Sequence, residues 1–274
     1  MSATLSRTLS AADSAALAAG GIERDDPFVL ARFGDGDLYC MNADTEDEMA
    51  DMLQATLGDR RGRPPLALAD GEEWSPELRD ALRDAWAAIT AGEHTLLLGD
   101  PTTSDFGREM WPYWRQLDDG IERRYIPVHH EMFWLRAGQQ PELLRFCRSV
   151  RASVQRKLLV GRAELAPAAS MIAADFVEVD PFASLRDVDT VIRRGRAYDI
   201  VLFCAGRGGK AMIRGLLSAS RTLVDVGALF DPLYIGKSRP RTGAASDRDA
   251  RAFFSELAGR RVTVSRSRPG RAFA

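Results

Sequence analysis

Two aspartates one residue apart, Asp35 and Asp37, lie between glycines in Arg32-Phe33-Gly34-Asp35-Gly36-Asp37. Paired carboxylates are hard oxygen donors of the kind that hold Mg²⁺ or Mn²⁺. The glycines, Gly34 among them, let backbone approach a phosphate closely. Arg32 can pair with that phosphate, with Asp37, or with solvent. The apolar run Pro27-Phe28-Val29-Leu30-Ala31 leads into the stretch. The acids therefore sit where a buried strand should end, and parallel sheets bind ligands at that end. The plain alternative is a surface turn, for which Asp-Gly is a strong signal.

A second stretch, Gly206-Arg207-Gly208-Gly209-Lys210-Ala211, follows the most apolar strand and opens a helix. It satisfies the dinucleotide fingerprint G-x-G-x-x-A, with Asp225 about twenty residues on, where a ribose-binding acid is expected. Free N–H groups at that helix start would hold a pyrophosphate. A glycine-rich turn needed only for packing gives the same pattern. Asp231, before a proline, is a further candidate ligand or base. His129-His130-Glu131 closes another strand, and a histidine there is a candidate general base near neutral pH. Trp111, Tyr113, Trp114, Phe133 and Trp134 make either a platform for a sugar or base, or core.

These residues need a scaffold. Hydrophobic periodicity predicts strands over 28–33, 94–98, 125–128, 157–160, 176–179, 199–204 and 222–226, with a last one over 261–264. Between them it predicts helices over 10–19, 45–57, 75–92, 104–117, 141–154, 165–171, 184–194, 209–217 and 247–257. Regular alternation of this kind means an α/β fold with a mostly parallel sheet, flanking helices and Rossmann-like connections. One domain over 1–274 is expected, divisible into two Rossmann-like halves at about 25–135 and 156–266.

A chain of 274 residues buries enough surface to need no covalent staples. Its net charge of −2 gives no overall pull toward nucleic acid or membrane. An arginine-rich tail, Arg260 to Arg271, is the one feature that would suit nucleic acid. Three scattered cysteines fit neither a disulfide framework nor a zinc site and point to a reducing cytoplasm. The N-terminus lacks the basic-then-apolar order of a secretory signal. No apolar run approaches the ~20 residues of a membrane helix.

The stretch Arg32-Phe33-Gly34-Asp35-Gly36-Asp37 resembles the Arg-Phe-Gly-Asp-Gly-Glu signature of the GT-D-type bacterial glycosyltransferases. Segments Leu158-Leu159-Val160-Gly161, 201–217 and Leu223-Val224-Asp225-Val226-Gly227 are similar to later parts of that family. The resemblance implies a metal-dependent transferase that takes a sugar from a nucleoside-diphosphate donor, with UDP the expected nucleotide, and moves it to a hydroxyl acceptor. The acceptor would be a glycan, a glycoprotein or modified DNA. Asp35 and Asp37 would hold Mn²⁺ or Mg²⁺ against the diphosphate, and Arg207 or Lys210 would meet the leaving group's charge. The chain departs from the family at Ala228, where a histidine often stands. The role of that histidine is lost or moved to Asp231, His129 or His130. Two other readings stand beside this one. The first is an NAD-dependent oxidoreductase built on Gly206, Gly208, Ala211 and Asp225. The second is a nucleotide-binding protein without catalysis.

Overall fold

The computed structural model describes residues 8–57, 74–103, 107–118, 124–135, 140–180, 185–235 and 247–262. In chain order the elements are α1 (Ala11–Arg24), β1 (Phe28–Arg32), α2 (Asp35–Asn42), α3 (Glu46–Leu57), α4 (Pro76–Ala91), β2 (Thr95–Asp100), α5 (Gly107–Asp118), β3 (Tyr125–His129) and α6 (Gln140–Ala152). There follow β4 (Lys157–Gly161), α7 (Ala166–Met171), β5 (Asp175–Glu178), α8 (Val188–Gly195), β6 (Ile200–Cys204), α9 (Gly208–Leu216), β7 (Thr222–Asp225), α10 (Pro232–Ile235) and α11 (Asp247–Ala258).

The seven strands form one sheet in the order β3-β2-β1-β7-β6-β4-β5. Every pairing is parallel. β1, β4 and β6 are buried along their whole length, as strands covered by helices on both faces must be. Side chains alternate between two cores. Phe28, Leu30, Leu159, Leu202 and Val224 face the helices α1, α6, α7 and α11. Val29, Ala31, Leu158, Val201 and Leu223 face α2, α4, α8 and α9. The strands before residue 135 make one side of the sheet and those after 156 the other. They meet where β1 pairs β7, Leu30 beside Val224. The helices that follow β1, α2 and α4, pack on one face of the sheet, and α11, which follows β7, packs on the other. The crevice beyond these two strand ends is therefore the place a ligand is expected.

The local signals that set the helices are ordinary ones. Ser10 caps α1 by accepting the Asp13 N–H at 3.1 Å, and Ser75 caps α4 from Leu78 at 3.1 Å, with Pro76 opening the helix. The buried stripe of α4 is Leu78, Leu82, Ala85, Trp86 and Ile89, as its period predicts. Pro112 sits inside α5 without ending it.

Several expectations need correction. The Gly34–Asp37 stretch is not a turn but the start of α2, which periodicity passed over. α1 runs on to Arg24, where Asp25 takes a left-handed conformation and stops it. α8 begins only at Val188, because residues 185–187 form a turn. No strand occurs at Arg261 and Val262, and the rest of that expected strand lies outside the described residues, as does most of the arginine-rich tail. Among the described residues no helix is long and apolar enough to cross a membrane.

Candidate active site

β1 ends at Arg32, a charged residue that is only 6% exposed. Its guanidinium reaches across the seam to β7. Nε donates to the Asp225 carbonyl at 3.0 Å, and Nη2 donates to Asp225 Oδ1 at 2.9 Å. Nη1 donates to the His130 carbonyl at 3.1 Å, and the group lies 5.7 Å from the centre of the Phe133 ring. Two glycines make room for it. A Cβ at Gly99 would stand 2.7 Å from Arg32 Cγ, and one at Gly227 would stand 1.9 Å from Nη2. Gly227 also has a φ of +48°, a left-handed conformation that disfavours side chains. Gly227→Ala is accordingly expected to cost about 1–3 kcal/mol of stability, read as a lower urea midpoint at unchanged m-value.

Asp37 is the third residue of α2. Its Oδ2 accepts the Gly34 N–H at 2.8 Å, so the second acid of the motif ties down the helix start. The same oxygen lies 3.1 Å from Lys210 Nζ. That ammonium also stands 3.3 Å from Asp225 Oδ2 and reaches the Gly206 carbonyl at 3.4 Å. Asp37, Lys210 and Asp225 are all buried. Lys210 comes from the first turn of α9, behind Gly206, whose φ of +59° makes the strand-to-helix turn. Arg207, also buried, lies over the start of α2. A Cβ at Gly36 would fall 2.8 Å from its Nη2. The two motifs, far apart in sequence, thus form one cluster of three cations and two carboxylates at the strand ends.

Electrostatics follow from this packing. Burial pushes the Asp37 carboxyl above its usual range, against the pull of Lys210 and the Gly34 N–H. Burial also opposes charge on Asp225, but Arg32 and Lys210 outweigh it and hold that carboxyl low. For Lys210 burial is again overcome, here by Asp225 and Asp37, and its pKa is raised. Asp37 Oδ1 is buried with no hydrogen-bond partner among the described residues.

His130 lies between the ends of β1 and β2. Cβ atoms built on Gly34 and Gly99 would be 3.5 Å and 3.3 Å from its ring nitrogens. Burial, then the Arg32 charge, pushes its pKa down to about 3. The unfolded chain takes up this proton below about pH 6.5, the folded chain only near 3. The His130 contribution to stability is therefore complete above about pH 6.5 and is lost as pH falls toward 3, with a slope of at most about 1.4 kcal/mol per pH unit. Melting temperature against pH should be flatter in this window for His130→Gln than for the parent.

The structure brings Arg32, Gly34, Asp37, Gly206, Arg207, Gly208, Lys210, Asp225 and His130 to one rim. Asp231 is buried in the turn after β7. Burial first, and then the Asp231 and Asp225 charges, push up the thiol of Cys204 at the end of β6. Asp35 does not join the cluster. It is exposed, and its Oδ1 accepts the neighbouring Gly36 N–H at 3.0 Å. Residues i and i+2 of a helix point about 200° apart, so the two acids of the motif diverge. The donor set does not fit a divalent metal ion as the sequence suggested: Asp37 faces an ammonium, and Asp35 faces solvent. Among the described residues no three His, Cys, Asp or Glu side chains come together as metal ligands. Asp225 likewise does not fit the ribose-binding role, since both its oxygens are engaged by buried cations. That removes the acid on which the oxidoreductase reading stood. Of the five aromatics, Trp114 and Phe133 are core, whereas Trp111 is 51% exposed. Sequence reasoning missed Gly99 and Gly227 as the space for Arg32. Their pairing opposite a buried arginine was not visible before the strands were aligned.

Solved structures match this arrangement of strands and helices over most of the chain. A structure described as domain of unknown function 1792, in selenomethionine form, is 12% identical with a TM-score of 0.53. The match covers 91% of this chain and 89% of that one. Another, described as the same domain with a distinct glycosyltransferase fold, is 12% identical with a TM-score of 0.54 and the same coverage. The fold is that of the 1792 domain. A third structure, described as a new glycosyltransferase of that domain from Streptococcus sanguinis, is 14% identical over 81% of each chain, with a TM-score of 0.50. No protein-family model matches the chain, and comparison with curated proteins gives no significant match. Likeness to the 1792 domain is a likeness of fold.

Proposed function

We propose that the protein is a glycosyltransferase that takes a sugar from a nucleoside-diphosphate donor, UDP-linked, and moves it to a hydroxyl acceptor. The observation that carries this reading is the buried cluster at the β1–β7 seam. Arg32, Arg207 and Lys210 outnumber Asp37 and Asp225 by one positive charge, in the crevice where this topology binds ligands. A diphosphate is an anion of the right kind for such a place. The likeness to the 1792 domain supports the choice of sugar transfer over other diphosphate chemistry.

In this reading the cations meet the charge that grows on the departing diphosphate, and their fixed positions mean that no reorganisation is needed as it grows. Asp37 Oδ1 accepts a hydrogen bond from a hydroxyl of the donor. His130 is a neutral hydrogen-bonding group, because an imidazole with a pKa of about 3 is a poor base at neutral pH. The acceptor proton goes to Asp231, the carboxylate in the turn after β7. Cys40, Cys147 and Cys204 are buried and none is in a disulfide, which suits the cytoplasm as the place of action. The acceptor in this reading is a glycan or glycoprotein, with DNA the less favoured choice.

Calorimetric titration with UDP, GDP and NADH tests the donor class. UDP is expected to bind with a Kd at or below about 100 μM, and NADH is not. Binding of NADH without either nucleoside diphosphate would overturn the proposal.

A further inference from the structure

Lys210 is in an unusual position. The start of a helix carries partial positive charge and repels an ammonium, yet Lys210 Nζ lies in the first turn of α9. It is held there by Asp37 Oδ2 at 3.1 Å and Asp225 Oδ2 at 3.3 Å. These carboxylates come from the two sides of the sheet seam, and the ammonium is the bridge between them. A divalent ion at the same spot would use the same two oxygens. It would also have to displace a buried ammonium, with the Arg32 guanidinium on the other oxygen of Asp225.

We propose that Lys210 stands in the place of the divalent cation, so that the protein binds its nucleoside diphosphate without metal. This rests on the donor reading above. The ammonium neutralises the two carboxylates that would otherwise repel the diphosphate. Its third N–H, on the Gly206 carbonyl at a long 3.4 Å, is the one that turns to a phosphate oxygen. Arg207, lying over Gly36, adds a second cation on the side of α2. The step is one of binding and charge stabilisation, and no bond is made or broken by Lys210.

The experiment is a calorimetric titration of the full chain with UDP and with GDP, first in EDTA and then in MnCl₂. A Kd that changes by less than about threefold between the two conditions is expected for the nucleotide that binds. Lys210→Ala should weaken binding in EDTA by at least about tenfold and recover part of it in Mn²⁺, since it frees Asp37 and Asp225 to act as ligands. A measurement that needs no variant accompanies these: Mn²⁺ alone, followed by its paramagnetic resonance, should remain free in the presence of the parent protein. Retained Mn²⁺ that Asp37→Asn releases would overturn the inference. Nucleotide binding seen only with Mn²⁺ would overturn it while leaving the donor reading intact. No binding of either nucleotide under any condition would overturn both.

Discussion

Arg32→Met is expected to lower folding stability by about 3–5 kcal/mol, the usual result of removing one partner from a buried ion pair. The guanidinium makes three hydrogen bonds, to Asp225 Oδ1, the Asp225 carbonyl and the His130 carbonyl. Methionine fills the space over Phe133 but leaves these acceptors in a dry crevice. Lysine at the same position should recover only part of the loss. A single ammonium cannot reproduce the fork that bridges β1, β7 and the turn after β3. Urea unfolding of the parent, Arg32→Met and Arg32→Lys gives the three values. A loss below about 1 kcal/mol for methionine would mean that the pair contributes no more than a surface one.

Lys210→Met should do comparable damage at neutral pH, and it should steepen the loss of stability as pH rises. The ammonium is the shared partner of Asp37 and Asp225. Without it two buried carboxylates face each other, and one of them must keep a proton. A carboxyl whose folded pKa is raised gives a folded state that holds more protons than the unfolded one. Stability then falls as pH rises from the ordinary carboxyl value through the folded one. The parent shows this only in part, since burial raises the pKa of its Asp37 and Lys210 opposes the rise. Its Asp225 is held low by Arg32 and Lys210 against burial, so the Asp225 contribution is full above the ordinary carboxyl value and is lost as pH falls through the folded one. Melting curves between pH 5 and 8 should therefore show Lys210→Met most stable at the acid end and losing about 3 kcal/mol or more relative to the parent at the other. Parallel curves for the two proteins would sink this account.

The fold was largely legible because its strands are fully apolar and its helices carry capping signals of their own. Phe28–Arg32, Lys157–Gly161 and Ile200–Cys204 read as buried strands from composition alone. α2 was not legible in the same way. Gly34 and Gly36 depress helix propensity, and they masked an acid at the third helical position that serves the helix start. At the site, sequence located the residues and mistook their partners. Asp225 stands where a ribose acid should, but spacing cannot show that an arginine 193 residues earlier already occupies it. Asp35 and Asp37 look like a pair on paper, and helical geometry sends them to opposite sides. Lys210 reads as a cation for phosphate, and nothing in its sequence neighbourhood reveals two carboxylates arriving from other elements.

The β1–β7 seam also bears on how the chain is made. β1 is translated early, and the strand that covers its second edge comes only with Thr222–Asp225. Until β7 is made, β1 can pair on its β2 side only, and its other apolar edge has no partner. Such an edge is a template for pairing with another chain. Its eventual neighbour must also supply Asp225 before Arg32 has a counter-charge. The interval between translation of the first strand and the last is thus the period of greatest exposure to misassembly, and closing the ligand crevice is the same event that ends it.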